Sequence, residues 1–145
     1  MSHEILNRLN QRSYDKIAVP FSATRSYVWD DLHLLFRYLK DKDYVLDAGC
    51  GNGRIISGLN DLKEKKVRYL GIDFSENLIA EAQKKFPGFT FKKQNLLEPN
   101  VEERGFDAIF CISVLNHFPK SEQRQVIENF RARLKRNGLL LMLNW

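Results

Sequence analysis

The stretch from Tyr44 to Arg54, YVLDAGCGNGR, is the most informative segment of this 145-residue chain. A short apolar run, YVLDA, predicts a buried strand, and the glycines at alternating positions after it predict a tight turn. Glycines in such a turn allow positive φ and let a ligand approach the backbone without meeting a Cβ. The helix expected next, at 54–62, would offer the N–H groups of its first turn to an anionic group, either a carboxylate or a phosphate.

Strands and helices alternate along the rest of the chain. The further predicted strands are 67–73, 89–94, 106–113 and 139–145, and the further predicted helices are 75–86, capped by Ser75, and 121–135, capped by Ser121 and stopped by Asn137-Gly138. This alternation indicates βαβ units and therefore a parallel sheet with helices on both faces. The predicted fold is α/β, a doubly wound Rossmann-like parallel sheet with strand order 3-2-1-4-5. Ligands bind such sheets beyond the carboxyl ends of the strands, where the glycine loop Gly49–Gly53 falls.

The residues before this core are predicted to be helical. Residues 4–18 have an irregular helical pattern that Pro20 ends, and apolar residues recur every three or four positions from Tyr27 to Leu39, which indicates an amphipathic helix. Because no low-complexity linker interrupts the chain, we expect one domain, with a helical cap at 1–43 and the sheet at 44–145.

Composition indicates an ordinary globular protein. Apolar residues make up 43% and charged residues 28% of the chain, and no run approaches the roughly 18 apolar residues that a membrane span requires. The N-terminus lacks the apolar core of a secretory signal, and Cys50 and Cys111 have no disulfide-like spacing, so we expect a cytoplasmic protein with reduced thiols. The three histidines are scattered and predict no metal site.

The chain carries a modest basic excess. Its net charge is +5, and residues 106–145 hold six Lys and Arg against three Asp and Glu. This excess fits an anionic partner such as RNA, and it equally fits a solvated helix face because it is small and dispersed.

Asp47 narrows the kind of ligand that the glycine loop would take. A dinucleotide fingerprint reads G-x-G-x-x-G, whereas the third glycine comes one residue earlier here, in G-x-G-x-G. A carboxylate at the end of the preceding strand would repel a pyrophosphate and attract an ammonium group. These features favour a zwitterionic or cationic ligand, although a simple strand–helix turn would also use such glycines.

Asp73 and Phe74 follow the second strand, and Asp73 comes twenty residues after Gly53. A carboxylate at this position of a nucleotide-binding sheet accepts the hydroxyls of a ribose, and a phenyl ring beside it would lie against an adenine. Taken singly, Asp73 would suit a helix cap and Phe74 the core. Together with the glycine loop, they favour a nucleoside ligand.

Five segments of the chain carry a family pattern: VLDAGCGNGR, LGIDFS, QNLLEP, FDAIFCISVLNHF and LKRNGLLLMLNW. In these segments, residues 44–145 resemble the class I S-adenosylmethionine (SAM)-dependent methyltransferases, which implies a SAM cofactor. The resemblance implies a methionyl site at Gly49, Cys50, Gly51 and Gly53, a ribose site at Asp73, contacts of Asn95 and Leu96 with the adenine amino group, and a lining below the sulfonium at Ile112 and Ser113. The family usually has Asp where this chain has Asn95, which keeps an acceptor oxygen but lacks the charge.

The N-terminal segment SYDKIAVPFSATRSYVW, residues 13–29, makes the resemblance more specific. It is similar to the start of the tRNA wobble-uridine carboxymethyl methyltransferases, which have a tyrosine-aspartate pair, an FSxTR element and a tryptophan. This similarity implies tRNA as partner, with Tyr14 over the cofactor and Arg25 and Trp29 helping to close the pocket. Packing roles for Tyr14 and Trp29 also fit the sequence.

Asn116 and His117 are the candidate catalytic residues, in the loop after the fourth strand. The resembling tRNA enzymes commonly have two histidines there. Their acceptor is a carboxylate, which needs no general base, whereas a hydroxyl or amine acceptor would more often need one and His117 is the candidate. SAM carries an activated methyl group, so direct displacement mainly requires alignment of the acceptor. A structural role for His117 fits the sequence equally well.

The chain ends at Trp145, whereas the resembling methyltransferases continue with further strands that complete the sheet. We therefore expect this chain to lack those last strands and its fifth strand to be an apolar edge. A C-terminal segment of a longer protein or a partner chain would cover that edge, since soluble proteins protect such strands.

Several functions remain open on the sequence alone. A SAM-dependent methyltransferase is favoured, and its acceptor, either tRNA or a small molecule, stays open. A non-catalytic methyltransferase-like subunit is favoured by the short C-terminus and disfavoured by the complete set of Asp47, glycines and Asp73. A dinucleotide-dependent oxidoreductase is disfavoured by the glycine spacing and by Asp47.

Overall fold

The computed structural model describes residues 30–98 and 102–144, which form a five-stranded sheet flanked by helices. The strands are β1 Tyr44–Ala48, β2 Arg68–Asp73, β3 Thr90–Lys93, β4 Phe106–Ile112 and β5 Leu134–Leu143. The helices are α1 Asp30–Phe36, α2 Ile55–Asn60, α3 Glu76–Lys85 and α4 Lys120–Arg133. Neighbouring strands pair in parallel in the order β3-β2-β1-β4-β5. The predicted fold class and strand order are confirmed.

Helices cover both faces of the sheet because successive strand residues point to opposite faces and both sets are apolar. One face packs against α1, α2 and α3, with Phe36, Ile56 and Phe110 fully buried between them. The other face packs against α4 through Val126 and Phe130. Each such side chain stabilises the fold by about 1.5–3 kcal/mol relative to its exposed state.

α1 is shorter than the amphipathic helix predicted for 27–39. It ends at Phe36, and the N–H of Leu39 then bonds three residues back to its carbonyl, at 3.1 Å, in a tight turn. Leu39 is nevertheless buried, so this position is apolar because it packs in the core, although it lies outside the helix. The segment 4–18 and residues 27–29 lie outside the described residues.

α3 begins as predicted. The backbone N–H of Leu78 donates to Ser75 Oγ at 3.3 Å, which makes Ser75 the N-cap of this helix. The helix ends at Lys85, ahead of Pro87.

The predicted bounds of α4 are wrong at both ends. Pro119 takes the N-cap position, and Ser121 lies exposed inside the first turn with no capping bond. At the other end β5 begins at Leu134, which pairs with Phe106 of β4 directly after the last helical residue, Arg133. Asn137-Gly138 therefore forms an irregularity inside β5, where the register with β4 shifts, and does not stop the helix.

β5 lies at one edge of the sheet and β3 at the other. Within the described part of the chain β5 pairs only with β4, and its Leu139 and Met142 are 37% and 41% exposed. Apolar side chains on an edge strand are the kind of surface that proteins cover. The covering segment or partner expected from the sequence stays a prediction.

Candidate functional site

The carboxyl ends of β1, β2 and β4 meet where the strand order reverses, between β1 and β4. The glycine loop follows β1 and is tied to β2, since Gly49 and Cys50 donate backbone bonds of 2.8 and 3.0 Å to the carbonyl of Ile72. The loop after β4 reaches the same place, because Val114 packs on Gly49. Three chain segments that are distant in sequence thus converge on one site.

The glycine loop needs glycine for two physical reasons. Gly49, Gly51 and Gly53 have φ of +78°, +54° and +79°, where side chains with a Cβ are rarely found. A Cβ on Gly49 would also lie 2.4 Å from Val114 Cγ2. The close neighbour of Gly49 is therefore a protein side chain, so its glycine is explained without a ligand.

Asp73 fastens the glycine loop to the end of β2. Its Oδ2 accepts the N–H of Gly51 and its Oδ1 accepts the N–H of Ser75, each at 2.9 Å. Gln94, just after β3, bonds to the Asp73 carbonyl at 2.8 Å. Because each carboxylate oxygen has a second lone pair, these bonds are compatible with a further acceptor role for Asp73. Phe74 follows it and is half-buried.

Asp47 lies at the end of β1, 2% exposed, in a largely apolar setting. The Tyr69 hydroxyl donates to its Oδ2 at 2.7 Å. Burial raises the pKa of Asp47 from its ordinary value of 3.8 to about 7, against the lowering effects of the Tyr69 bond and of the nearby Arg54 charge. Asp47 therefore changes its charge near neutral pH.

The two cysteines are buried free thiols. Burial raises the pKa of Cys50 well above its ordinary range, and it raises the pKa of Cys111 to about 12. Both thiols are therefore protonated at neutral pH and are poor nucleophiles. Cys111 on β4 is a core residue, as its sequence context predicts.

The end of β4 is strained. Ile112 is buried, and Ser113 follows with φ of +55°, an uncommon conformation for a residue with a side chain. The Ser113 N–H bonds to the Leu143 carbonyl at 2.7 Å, while its buried Oγ has no hydrogen-bond partner among the described residues. Strain of this kind clusters at ligand sites, which fits the predicted place of Ser113 there.

Asn116 and His117 lie in a single 3-10 turn, Leu115–His117, which starts two residues after Ser113. Both side chains are exposed. Their exposure in the loop after β4 is compatible with contact to an acceptor, and their catalytic role stays a prediction.

Asn95 and Leu96 lie in the turn after β3. Asn95 Oδ1 accepts the N–H of Leu97 at 3.0 Å, so its side chain stabilises its own turn. Asn129 on α4 donates to the Leu96 carbonyl at 2.9 Å. Sequence reasoning missed this anchor, because nothing local in a polar helix face indicates which loop it holds.

Asn52 is a second residue that sequence reasoning missed. It lies inside the glycine loop, is 1% exposed, and neither its amide oxygen nor its amide nitrogen has a hydrogen-bond partner in the described ranges. A buried amide without partners costs about 1–3 kcal/mol, which a bound polar ligand would recover. The signal in the sequence was a polar residue between two glycines.

Tyr14, Arg25 and Trp29 lie outside the described residues, so their predicted roles stay predictions. In residues 30–98 and 102–144, no cluster of three His, Cys, Asp or Glu side chains could hold a metal ion. No helix in those ranges is long and apolar enough to cross a membrane.

The sheet order and the site at its carboxyl edge define a Rossmann-like methyltransferase fold. The family model described as "Methyltransferase domain" matches residues 45–138, which is more than half of the chain. The chain therefore belongs to the methyltransferase domain family, as a SAM-dependent methyltransferase domain.

Two individual proteins are similar to this chain over nearly its whole length. The chain is 34% identical over 143 residues to a tRNA (carboxymethyluridine(34)-5-O)-methyltransferase of Arabidopsis thaliana, covering 98% of this chain and 34% of that protein. It is 32% identical to the ALKBH8 enzyme of the same activity from Macaca fascicularis, covering 94% of this chain and 20% of that one. The chain thus spans about a third of the first relative and a fifth of the second.

A solved structure shows the same fold at low identity. Phosphoethanolamine N-methyltransferase 1 of Haemonchus contortus, in complex with phosphoethanolamine and S-adenosylhomocysteine, superposes with a TM-score of 0.78. The match covers 99% of this chain and 33% of that one at 18% identity, so it supports the fold alone.

The residues present fit SAM. Its amino-acid part carries an ammonium and a carboxylate group, and the glycine loop region offers the Asp47 carboxylate and the amide of Asn52, which has no partner among the described residues. Its ribose requires a hydrogen-bond acceptor, a role that the Asp73 carboxylate at the end of β2 would suit.

Proposed function

We propose that this chain binds SAM at the glycine loop and transfers the methyl group to the carboxymethyl group of a wobble uridine in tRNA. The observation that carries the proposal is its 34% identity, over 98% of its own length, to the Arabidopsis enzyme. That similarity includes the N-terminal segment in which the wobble-uridine enzymes have their distinctive motif. The basic balance of the chain agrees with an RNA partner.

Three polar residues would hold the cofactor. Asp47 would attract the ammonium group, Asn52 would bond to the carboxylate through its amide, and Asp73 would accept the ribose hydroxyls. Gly49, Cys50, Gly51 and Gly53 would form the floor under the methionyl part, while Phe74, Asn95 and Leu96 would surround the adenine. Tyr14 and Arg25 would complete the pocket, as the resemblance implies.

The chemistry requires little from side chains once the two substrates are aligned. SAM supplies an activated methyl group when it is bound. Ile112 and Ser113 would shape the wall near that group, and Asn116 and His117 at the rim would orient the acceptor. A carboxylate acceptor is ionised at neutral pH, so none of these residues has to remove a proton from it.

Exposed arginines of the C-terminal half are candidates for phosphate contacts. Arg131 and Arg136 are exposed and have no ion pair among the described residues. Arg124 and Lys135, by contrast, pair with Glu128 at 2.9 Å and with Asp107 at 2.8 Å. Phosphate contacts by Arg131 and Arg136 would make tRNA binding weaken as salt rises.

The test is methyl transfer from radiolabelled SAM to tRNA that carries carboxymethyluridine at position 34. The expected product is a methyl ester, which mild base releases as methanol, and the same tRNA with unmodified uridine should stay unlabelled. Arg131→Ala should weaken tRNA binding and flatten its salt dependence, with Arg124→Ala as the matched control whose charge is already paired.

Two results would contradict the tRNA proposal. Transfer to a small acceptor such as phosphoethanolamine, with no label on tRNA, would indicate a small-molecule methyltransferase. SAM binding without transfer to either acceptor would favour a methyltransferase-like subunit that supports a partner. Such a partner, or a further segment, would also cover β5, whose Leu139 and Met142 are exposed.

A further inference from the structure

Tyr69 lies on β2 beside the proposed ammonium site, and the proposed function gives it no role. In the parallel register Val45 pairs with Tyr69, and Asp47 pairs with Gly71. Side chains two residues apart on a strand share a face, so Tyr69 and Asp47 project from the same side of the sheet. The phenol extends along β2 until its hydroxyl donates to Asp47 Oδ2 at 2.7 Å. Tyr69 is itself buried, at 7% exposure.

Gly71 provides the space for this contact. A Cβ at that position would lie 2.9 Å from the Tyr69 hydroxyl, 2.9 Å from Cys50 Sγ and 2.8 Å from Phe91 Cδ1. A side chain at Gly71 would therefore crowd the phenol, the Cys50 thiol and the Phe91 ring. The ring is held from its other sides by edge-on contacts with Phe89 and Phe91, whose centroids lie 5.6 and 5.7 Å away.

The groups around Asp47 have opposing effects on its pKa. The Tyr69 bond and the Arg54 guanidinium lower the pKa of Asp47, while burial and the Asp73 carboxylate raise it. The thiols of Cys50 and Cys111 also face this carboxylate and are held protonated by burial. Tyr69 donates a direct hydrogen bond to Asp47, so it both orients the carboxylate and favours its ionised form.

We infer that Tyr69 is a positioning residue, which keeps the Asp47 carboxylate oriented and ionised to receive the ammonium group of SAM. This inference rests on the proposed role of Asp47 in cofactor binding. It follows that SAM affinity depends on the ionisation of Asp47, and that removing the Tyr69 hydroxyl moves this dependence to higher pH.

The experiment is a calorimetric titration of SAM into the chain from pH 5.5 to 7.5, below the value near 8 at which an α-amino group itself titrates. The variants are Tyr69→Phe, which keeps the ring and its aromatic contacts, and Asp47→Asn, which cannot ionise. Tyr44→Phe is the matched control, because Tyr44 begins β1, at the opposite end of the strand from Asp47. Methylthioadenosine, which keeps the nucleoside but lacks the amino-acid part, is the second ligand.

We expect the affinity of the parent chain and of Tyr44→Phe for SAM to rise about tenfold over this range, following the ionisation of Asp47. Tyr69→Phe should bind several-fold more weakly at pH 6.5, with its rise shifted to higher pH, and Asp47→Asn should bind weakly with no such rise. Methylthioadenosine should bind every variant alike at every pH. In the free protein, the carboxyl carbon signal of Asp47 should titrate at higher pH in Tyr69→Phe.

A uniform loss of SAM affinity at all pH values in Tyr69→Phe would overturn the inference, since it would indicate a purely structural role. An affinity that does not vary with pH in the parent chain would overturn it as well. In both cases, binding of SAM and methylthioadenosine would leave the proposed cofactor site intact. If neither ligand bound to the folded chain, the proposed function itself would fail, and this inference with it.

Discussion

Asp47 is an acidic residue that the folded chain buries in a site where its charge is costly. Its pKa is raised, by burial first, from 3.8 to about 7. The folded state therefore holds a proton that the unfolded state has already released between these two values. This contribution to stability is fully present below about pH 4 and is lost as the pH rises through about 7. The burial of this carboxylate thus reduces the stability of the free protein at neutral pH.

Asp47→Asn should remove this pH dependence. The amide oxygen still accepts the Tyr69 hydroxyl bond, but the residue no longer has to lose a proton. We expect the variant to be more stable than the parent at pH 8 by about 2–4 kcal/mol and nearly equal to it at pH 4. Urea unfolding of the free chain at both values measures the difference, and the exposed Asp61→Asn serves as control. An equal effect of Asp47→Asn at both values would contradict this account.

Three glycines separate the cost of backbone conformation from the cost of crowding. Gly49 has φ of +78° and a Cβ there would meet Val114, Gly105 has φ of +80° with open space, and Gly88 has open space alone. We expect Gly88→Ala to be nearly neutral, Gly105→Ala to cost about 1 kcal/mol, and Gly49→Ala to cost about 3 kcal/mol or more. Chemical denaturation gives the order, and equal costs at Gly49 and Gly105 would remove crowding from the explanation.

The first turns of α3 and α4 show where a serine in the sequence predicts a helix cap correctly and where it does not. Ser75 and Ser121 each precede a run of helical pattern, yet only Ser75 accepts a bond from its helix. Ser75→Ala should therefore cost about 1 kcal/mol of stability, and Ser121→Ala should change it by less than about 0.5 kcal/mol. Thermal unfolding compares the two, and a similar loss at both positions would restore Ser121 as a cap.

The strands and the order of the sheet were predictable, because apolar runs alternate with amphipathic ones and the topology of such sheets is restricted. The end of α4 was not predictable, because an Asn-Gly pair is found both where a helix stops and where a strand is irregular. Its outcome depends on pairing with Phe106 and Ala108 of β4, which is a long-range contact. Local pattern cannot distinguish these two uses of the same dipeptide.

The candidate site also combines features that the sequence predicts with features that only the structure shows. The positions of Asp47, Asp73 and Ser113 follow from the rule that parallel strands bring their carboxyl ends to one edge. Their hydrogen-bond partners do not, since Tyr69 reaches Asp47 only because Gly71 leaves room. The buried amide of Asn52 likewise becomes informative only when its lack of partners among the described residues is known.

The sheet as a unit explains why the candidate site lies at one edge. β1 and β4 are each followed by a residue with positive φ, Gly49 and Ser113. Gly51, Asp73 and Gln94 are linked through successive hydrogen bonds. The amino-terminal ends carry structural ion pairs instead, such as the one between Lys135 and Asp107. A substitution at the amino-terminal edge should therefore affect stability without affecting the cofactor.

The most direct measurement is calorimetric titration of SAM, and separately of NAD, into the folded chain and its Asp73→Asn and Asp107→Asn variants. Asp107 is the matched control, because it also accepts a backbone N–H, from Tyr44 at 2.8 Å, at the far end of the sheet. We expect saturable SAM binding, no NAD binding, a loss of about 10- to 100-fold in Asp73→Asn and no loss in Asp107→Asn. Absence of SAM binding by the folded chain, or equal affinity in both variants, would contradict a SAM site at the glycine loop.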